Sequence, residues 1–323
     1  MKTNCTLVFD IGKTNQKYFV FDENRGVLDK GQTNIPTIVD EDEHPAEDIK
    51  EIVQWMTTNF ERLLNSDLFE IKNANISGHG ATFVHLDSEG EVVTPVYDYH
   101  KPIEENTFDS FYHKYGPEAN FSIQTGSKNV EMLNSGKQIY WLKTKRPELF
   151  EKVKYSLHLP QYLSYVFTGK MFSEYSSIGC HTDLWDFEKQ QYHQWVLKEG
   201  IIDLLPPIAR ANETVSLDFS GKKINFGIGI HDSSAALLPY FKKSEATFLL
   251  ISTGTWCITF NPFVSNSVFS QAEINNGAIA YMKIDGSIVK TSRLFMGQEH
   301  KIQVKKLISQ FEKPELYHRN LKF

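Results

Sequence analysis

Apolar and polar residues alternate near the start of the chain in a way that predicts paired strands. Residues 6–10 and 18–21 are rich in β-branched and aromatic side chains, and a short glycine-containing segment separates them. Two such runs around a turn are typical of a β-hairpin. The turn would carry Gly12, Lys13 and Thr14, and residues 26–28 would add a third strand.

A different spacing of apolar residues marks the next element. From residue 45 to residue 64 they recur every three or four positions, which predicts an amphipathic helix. Later segments continue the alternation, with strands at 71–77 and 83–86 and helices at 135–145 and 158–167. Strands that alternate with helices in this way predict an α/β fold with covered sheets.

A carboxylate follows an apolar strand in the second half of the chain. The run 224–230 leads directly into His231 and Asp232, after which residues 233–238 favour the start of a helix. Open α/β sheets bind ligands at the carboxyl ends of their strands, so Asp232 is a candidate site residue. Aspartate is also a common N-cap, which is the alternative interpretation for an isolated residue.

A second hairpin follows about twenty residues later. Residues 248–251 and 256–260 predict its strands, and the turn between them begins with Ser252 and Thr253. We interpret the two hairpins as equivalent elements that open two domains, 1–243 and 244–323. The alternative is that any two β-hairpins share this pattern.

Composition narrows the class of protein. The chain has 323 residues, enough for two domains, and its 41% hydrophobic and 13% aromatic content excludes disorder of the whole chain. A net charge of −6 provides no broad positive surface, so we expect no nucleic-acid partner. The apolar segments are too short for a membrane span and the three cysteines form no CxxC motif. We therefore expect a cytoplasmic protein with no membrane partner.

Two glycine motifs invite interpretations that their surroundings exclude. Gly12 and Thr14 match the end of a P-loop, but Leu7 stands where that motif needs glycine, and a strand follows instead of a helix. Residues 78–80 start like a dinucleotide fingerprint but lack its third glycine. A Gly/Thr turn can still offer donors to phosphate, with Asp10 placed to hold hydrated Mg²⁺, although a plain turn remains the alternative.

Three motifs in this order resemble the FGGY carbohydrate kinases, which belong to the actin-like ATPase superfamily. They are Asp10-Ile11-Gly12-Lys13-Thr14-Asn15, Gly229-Ile230-His231-Asp232-Ser233-Ser234-Ala235 and Ser252-Thr253-Gly254-Thr255-Trp256. The first and third resemble the family's phosphate motifs, and the second resembles the segment with the catalytic aspartate. The His-Asp pair is most similar to the rhamnulokinase and fuculokinase branch.

The resemblance implies a fold, a reaction and a set of site residues. The fold would be an actin-like, ribonuclease H-like α/β fold with a mixed sheet flanked by helices and an incomplete second domain. The reaction would be phosphorylation by MgATP of a terminal hydroxyl on a ketose or deoxyketose such as L-rhamnulose, L-fuculose or xylulose. Asp232 would be the general base, and Asp10 would orient Mg²⁺ through water.

The same resemblance implies two groups of ligand contacts. The residues implied near the ATP phosphates are Asp10, Gly12, Lys13, Thr14, Asn15, Lys17, Ser252, Thr253, Gly254 and Thr255. The residues implied near the sugar are Gly78, His79, Asp98, His231 and Asp232. Residues 244–323 are fewer than the family's second domain usually has, so most of the adenosine pocket would be missing and ATP affinity would be weak.

Two other functions remain open at this point. One is a sugar-binding or regulatory protein that has lost catalysis, and the other is a kinase with a polyol or an acid as acceptor. The open edge of a short second domain is compatible with a homodimer.

Overall fold

The computed structural model describes residues 2–104, 106–243, 246–253, 257–264, 268–314 and 316–317. Its strands are β1 (Thr3–Ile11), β2 (Gln16–Asp22), β3 (Val27–Thr33), β4 (Ile38–Val39), β5 (Pro45–Glu47), β6 (Phe69–Gly78), β7 (Phe83–Leu86), β8 (Val96–Tyr97), β9 (Tyr155–His158), β10 (Ser173–Glu174), β11 (Trp185–Asp186), β12 (Gln191–Tyr192), β13 (Ile208–Ala209), β14 (Thr214–Phe219), β15 (Lys222–Gly227), β16 (Ile230–His231), β17 (Leu250–Ser252), β18 (Cys257–Asn261), β19 (Ala278–Met282) and β20 (Ile288–Leu294).

The helices, in chain order, are α1 (Ile49–Leu64), α2 (Asp109–Tyr115), α3 (Glu118–Thr125), α4 (Ser135–Lys145), α5 (Pro147–Phe150), α6 (Leu159–Thr168), α7 (Tyr175–Ile178), α8 (Gln194–Lys198), α9 (Asp232–Ala235), α10 (Leu238–Lys243), α11 (Gln271–Asn275) and α12 (Met296–Gln310). Within the described ranges, no helix has both the length and the apolar character needed to cross a lipid bilayer.

A seven-stranded mixed sheet forms the centre of the larger part of the chain. Its order is β14-β15-β6-β1-β2-β3, and β16 also pairs with β6. The predicted hairpin is confirmed, because β1 and β2 are antiparallel and β3 extends them. Leu7, Phe9 and Ile11 alternate with less buried residues along β1 and are fully buried. This alternation is the pattern that predicted the strand.

The helix predicted from residue 45 begins four residues later, at Ile49. Residues 45–47 form β5 instead, and Asp48 ends this extended segment by accepting a hydrogen bond from the backbone N–H of Glu51 at 3.0 Å. This cap fixes the first turn of α1. The buried face of the helix consists of Ile49, Ile52, Met56, Phe60 and Leu63.

The run predicted as one strand over 224–230 is divided into β15 and β16. Gly229 separates them with a φ of +82°, and a Cβ at this position would collide with the carbonyl oxygen of Pro160. Only glycine adopts this geometry without strain. The following helix is also divided, into α9 and α10, and His231 rather than Asp232 occupies the N-cap position of α9. The alternative interpretation of Asp232 as an N-cap is therefore wrong.

A second sheet has the order β17-β18-β20-β19. Its first two strands form the predicted second hairpin, with Ser252 opposite Ile258 in the antiparallel register. Of the turn residues, Gly254 and Thr255 lie outside the described part of the chain. The second hairpin is thus confirmed in its strands.

Residues 268–294 pack tightly against the earlier part of the chain. Phe269, Ala280 and Met282 join a buried cluster that also contains Phe83 and Phe121. The backbone N–H of Ala280 donates to the carbonyl oxygen of Gly126 at 2.6 Å. The second sheet therefore shares a hydrophobic core with the α-helical layer beside the main sheet.

Two helix-ending glycines allow this packing to be measured. Gly126 follows α3 and Gly169 follows α6, with φ values of +60° and +63°. A Cβ added to Gly126 would lie 2.5 Å from the Cβ of Ala280, whereas a Cβ added to Gly169 would have no neighbour within 4 Å. We expect Gly169→Ala to cost about 1–2 kcal/mol of unfolding free energy from backbone strain alone. Gly126→Ala should cost about 1–3 kcal/mol more because of overpacking.

Urea denaturation of the full chain measures both values. Equal losses for the two variants would contradict the packing of residues 268–294 on α3.

Candidate active site

Parallel strands bring several predicted site residues to one edge of the main sheet. Asp10 at the end of β1 lies beside Ser77 of β6, and His231 at the end of β16 lies beside Gly78 on the other side of β6. Asp232 is the next residue after His231. Because the carboxyl ends of parallel strands share an edge, Asp10 and Asp232 flank the end of β6, and their charges interact.

Asp10 is held in a negatively charged environment. Burial raises the pKa of its carboxyl, Lys17 lowers it, and Asp232 raises it again, with a net upward shift. Lys17 faces Asp10 across the β1–β2 ladder, and its Nζ lies 3.8 Å from Oδ2. Two carboxylates beside a single lysine leave an excess of negative charge, which favours the approach of a cation.

A cavity of about 430 Å³ opens beside this edge. Its lining includes His79, His231 and Asp232 at the carboxyl edge of the main sheet and Ile258, Tyr281 and Arg293 from the second sheet. A volume of this size accommodates a small polar molecule. The candidate site is therefore a cleft between the two sheets, next to the paired carboxylates.

The imidazole of His231 is oriented by a chain of hydrogen bonds. Ser234 Oγ lies 2.8 Å from the carbonyl oxygen of Met282 and 3.3 Å from Nδ1 of His231. Because a carbonyl oxygen can only accept, the hydroxyl proton of Ser234 belongs to the bond with Met282. The bond between His231 and Ser234 then requires a proton on Nδ1.

This arrangement determines what Nε2 of His231 presents to the cavity. Burial lowers the pKa of His231 despite the opposing charge of Asp232, so the ring is neutral near pH 7 and Nε2 carries a lone pair. Nε2 lies 3.2 Å from Oδ1 of Asp232 and 3.3 Å from the sulfur of Cys180. A proton taken up by Asp232 can therefore be held between Oδ1 and Nε2.

A second charged cluster lies beside the same cavity, which Lys13 lines. Lys13 projects from the tight turn between β1 and β2, which the bond from Gly12 N–H to Asn15 O closes at 3.1 Å. Its Nζ forms ion pairs with Glu47 and, at 2.8 Å, with Oδ2 of Asp98. Burial lowers the pKa of Lys13, but these two carboxylates raise it by more than burial lowers it. The pKa therefore lies above its usual value, and the ammonium stays charged.

Most of the residues implied near the sugar meet around this cavity. His79 lines it beside the Lys13 cluster, with Nε2 3.8 Å from Oε1 of Glu47. Asp98 is buried and accepts from the backbone N–H of His100 at 2.7 Å. Gly78, the last residue of β6, pairs with His231 and does not line the cavity.

The residues implied near the phosphates are more dispersed. Asp10 and Lys17 lie at the sheet edge, whereas Gly12, Thr14 and Asn15 form the turn above it. Ser252 and Thr253 are exposed on the second hairpin.

Several residues that line the cavity were not predicted as site residues, among them Cys180, Tyr281 and Arg293, and neither was Glu47, which pairs with Lys13 beside it. Glu47 falls in the segment predicted as the start of a helix, and Cys180 carries no motif. Tyr281 and Arg293 come from β19 and β20, which the sequence did not predict. Glu47 ends β5 and stands directly before the cap of α1. An acidic residue in this position is the sequence signal that could have identified Glu47.

No group of three or more His, Cys, Asp or Glu residues suited to a metal ion occurs among the described residues. The hard oxygen donors at the edge are Asp10 and Asp232.

Comparison with known proteins places this site in a family context. Residues 5–237 match the N-terminal domain of the FGGY family of carbohydrate kinases. The chain is similar to the rhamnulokinase of Oceanobacillus iheyensis, with 23% identity over 278 residues, 79% of this chain and 55% of that protein. The rhamnulokinase of Halalkalibacterium halodurans is 21% identical over 79% of this chain and 56% of its own. The chain thus spans just over half the length of these relatives.

Solved structures confirm the predicted fold class. A carbohydrate kinase from Novosphingobium aromaticivorans aligns with a TM-score of 0.81 and 26% identity, covering 94% of this chain and 66% of that chain. A ligand-bound xylulose kinase from Lactobacillus acidophilus aligns with a TM-score of 0.73 and 17% identity, covering 97% and 64%. The predicted actin-like α/β fold is therefore confirmed.

The charge interaction at the sheet edge leads to a measurable shift. Asp232→Asn removes the neighbouring negative charge, so we expect the pKa of Asp10 to fall. Lys17→Met removes the neighbouring positive charge and should raise the pKa of Asp10. Carboxyl ¹³C NMR titration of the two variants and the unmodified chain measures both shifts, and shifts in the same direction would contradict the described geometry.

Proposed function

Because the chain belongs to the FGGY family of carbohydrate kinases, we propose that it transfers a phosphoryl group from MgATP to a terminal hydroxyl of a ketose or deoxyketose. The sugar would be of the L-rhamnulose, L-fuculose or xylulose kind. The observation that carries the proposal is the position of Asp232, which borders a sugar-sized cavity next to Asp10 at the carboxyl edge of the sheet. Names of similar kinases, which include rhamnulokinases and a xylulose kinase, support the substrate class.

Asp232 would act as the general base. Its side chain is 33% exposed, and Oδ1 accepts from the backbone N–H of Ser233 at 2.5 Å. The sugar hydroxyl would attack the γ-phosphorus as its proton moves to Asp232, and the bond from the γ-phosphorus to the bridging oxygen of ADP would break. His231 supports this step because its Nε2 lone pair can share the proton.

Asp10 has the character that a hydrated Mg²⁺ requires. Magnesium binds hard oxygen ligands and commonly keeps several waters while using one or two carboxylates. Asp10 offers such an oxygen, is 35% exposed at its side chain and lies in an area of excess negative charge. When bound, the metal would neutralise charge on the phosphates.

The two hairpins would bind the phosphates from opposite sides. The Gly12–Asn15 turn and Lys17 supply donors beside Asp10. On the second hairpin, the phosphate contacts would come from Ser252, Thr253, Gly254 and Thr255. The position of Ile258 supports this, because Ile258 lies opposite Ser252 and lines the cavity. Phosphoryl transfer depends mostly on such positioning and charge neutralisation.

Asp232→Asn tests the proposed base. The amide keeps the shape of the side chain but cannot take up a proton, so we expect ketose-dependent ADP formation to fall by about 10²–10⁴-fold. The matched control is Asp67→Asn, because this carboxylate is fully exposed and lies outside the cavity. A coupled assay of ADP formation with L-rhamnulose, L-fuculose and xylulose measures all three proteins.

Each result has a distinct meaning. Turnover by Asp232→Asn at the rate of the unmodified chain would contradict the assignment of the base. Ketose binding by the unmodified chain without any ADP formation would favour a non-catalytic, sugar-binding relative.

A further inference from the structure

Lys13 is directed away from the carboxylate that would hold the metal. Its ammonium forms ion pairs with Glu47 and Asp98, and it lies 5.2 Å from the centre of the Tyr99 ring. Both carboxylates are buried, with 5% and 8% of their surface exposed. Lys17, four residues later, is instead the lysine that pairs with Asp10.

The two carboxylates around Lys13 explain why its ammonium stays beside Glu47 and Asp98. Removing the ammonium to contact a phosphate would leave Glu47 and Asp98 as two buried carboxylates close together, which is strongly unfavourable. A phosphate that approached Lys13 would also meet these two negative charges. The turn that resembles a phosphate motif therefore directs the side chain of Lys13 to these two carboxylates and not to Asp10.

The cluster has donors and acceptors suited to a polyhydroxyl ligand. An ammonium has three N–H donors, and the two ion pairs engage two of them. His79 is only 6% exposed, and its Nε2 has no hydrogen-bond partner within the described part of the chain. A buried polar atom without a partner is costly unless a ligand or water satisfies it. Both groups line the cavity that Asp232 borders.

We infer that Lys13 binds the sugar and not the phosphates of ATP, donating its third N–H to a hydroxyl or carbonyl oxygen of the ketose. Glu47 and Asp98 hold the ammonium in place, and His79 makes a further hydrogen bond to the sugar. This inference rests on the proposed function, because it assigns a ketose to the cavity. It makes Lys13 a residue that determines sugar affinity.

Ligand-observed NMR titrations of the full 323-residue chain separate the two roles. The probes are L-rhamnulose, L-fuculose and xylulose, followed by ¹H saturation transfer, and MgADP, followed by ³¹P line shape. We expect Lys13→Met to weaken the tightest-binding ketose by about tenfold or more, since it loses a charged donor, and to leave MgADP affinity within about twofold.

Lys17→Met is the matched control, because it removes the same charge four residues away. It should give the reverse pattern, with weaker MgADP binding and unchanged ketose binding. Lys13→Met/Glu47→Gln removes one charge of each sign, so it should retain the thermal stability of the unmodified chain and still bind the ketose weakly. This variant separates a loss of sugar contacts from a loss of folding.

Three results would overturn the inference. They are unchanged ketose affinity in Lys13→Met, a selective loss of MgADP affinity in that variant, and no binding of any ketose in the panel by the unmodified chain. Failure of the proposed function is recognised separately, as ketose binding without ketose-dependent ADP formation.

Discussion

The pairing of β6 with β1 on one side and β16 on the other determines where the candidate site of this chain lies. Asp10 and Asp232 are more than two hundred residues apart in sequence, and only this register places both at the end of β6. Because side chains alternate between the faces of a sheet, a shift of β1 by one residue would turn the carboxylate of Asp10 away. Gly229 permits the register, since its left-handed backbone lets the chain leave β15 and resume as β16.

Two lysines beside this edge pair with different carboxylates. At the sheet edge, two carboxylates and Lys17 leave an excess of negative charge that suits a cation with bound phosphates. Lys13 instead pairs with two buried carboxylates, so its own positive charge is already fully offset. An ammonium whose charge is already offset, and which still has an N–H to donate, suits a neutral hydroxyl better than a phosphate. The two lysines of one short segment thus serve different ligands in the proposed reaction.

Local patterns predicted the elements that depend on neighbouring residues. The first hairpin and α1 follow from alternation and helical spacing, which are properties of short segments. The sequence did not predict β5, because its three residues carry no periodicity and one of its two partners, β8, lies far along the chain. The prediction of a single strand over 224–230 did not account for the left-handed backbone of Gly229, which depends on the close approach of Pro160.

Only those residues of the candidate site that belong to recognisable motifs could be predicted from the sequence. Asp232 and His79 belong to motifs and line the cavity. The direction of Lys13 was not predictable, since it depends on an ion pair with Glu47, 34 residues away. Tyr281 and Arg293 reach the cavity through the shared core of the two sheets, which no local pattern indicates.

A crystal structure of the chain with a bound ketose tests the central proposal most directly. The proposal requires the sugar to lie in the cleft, with its terminal hydroxyl within hydrogen-bonding distance of Asp232 and another oxygen within reach of Lys13. A sugar bound outside this cleft, or one whose terminal hydroxyl points away from Asp232, would contradict it.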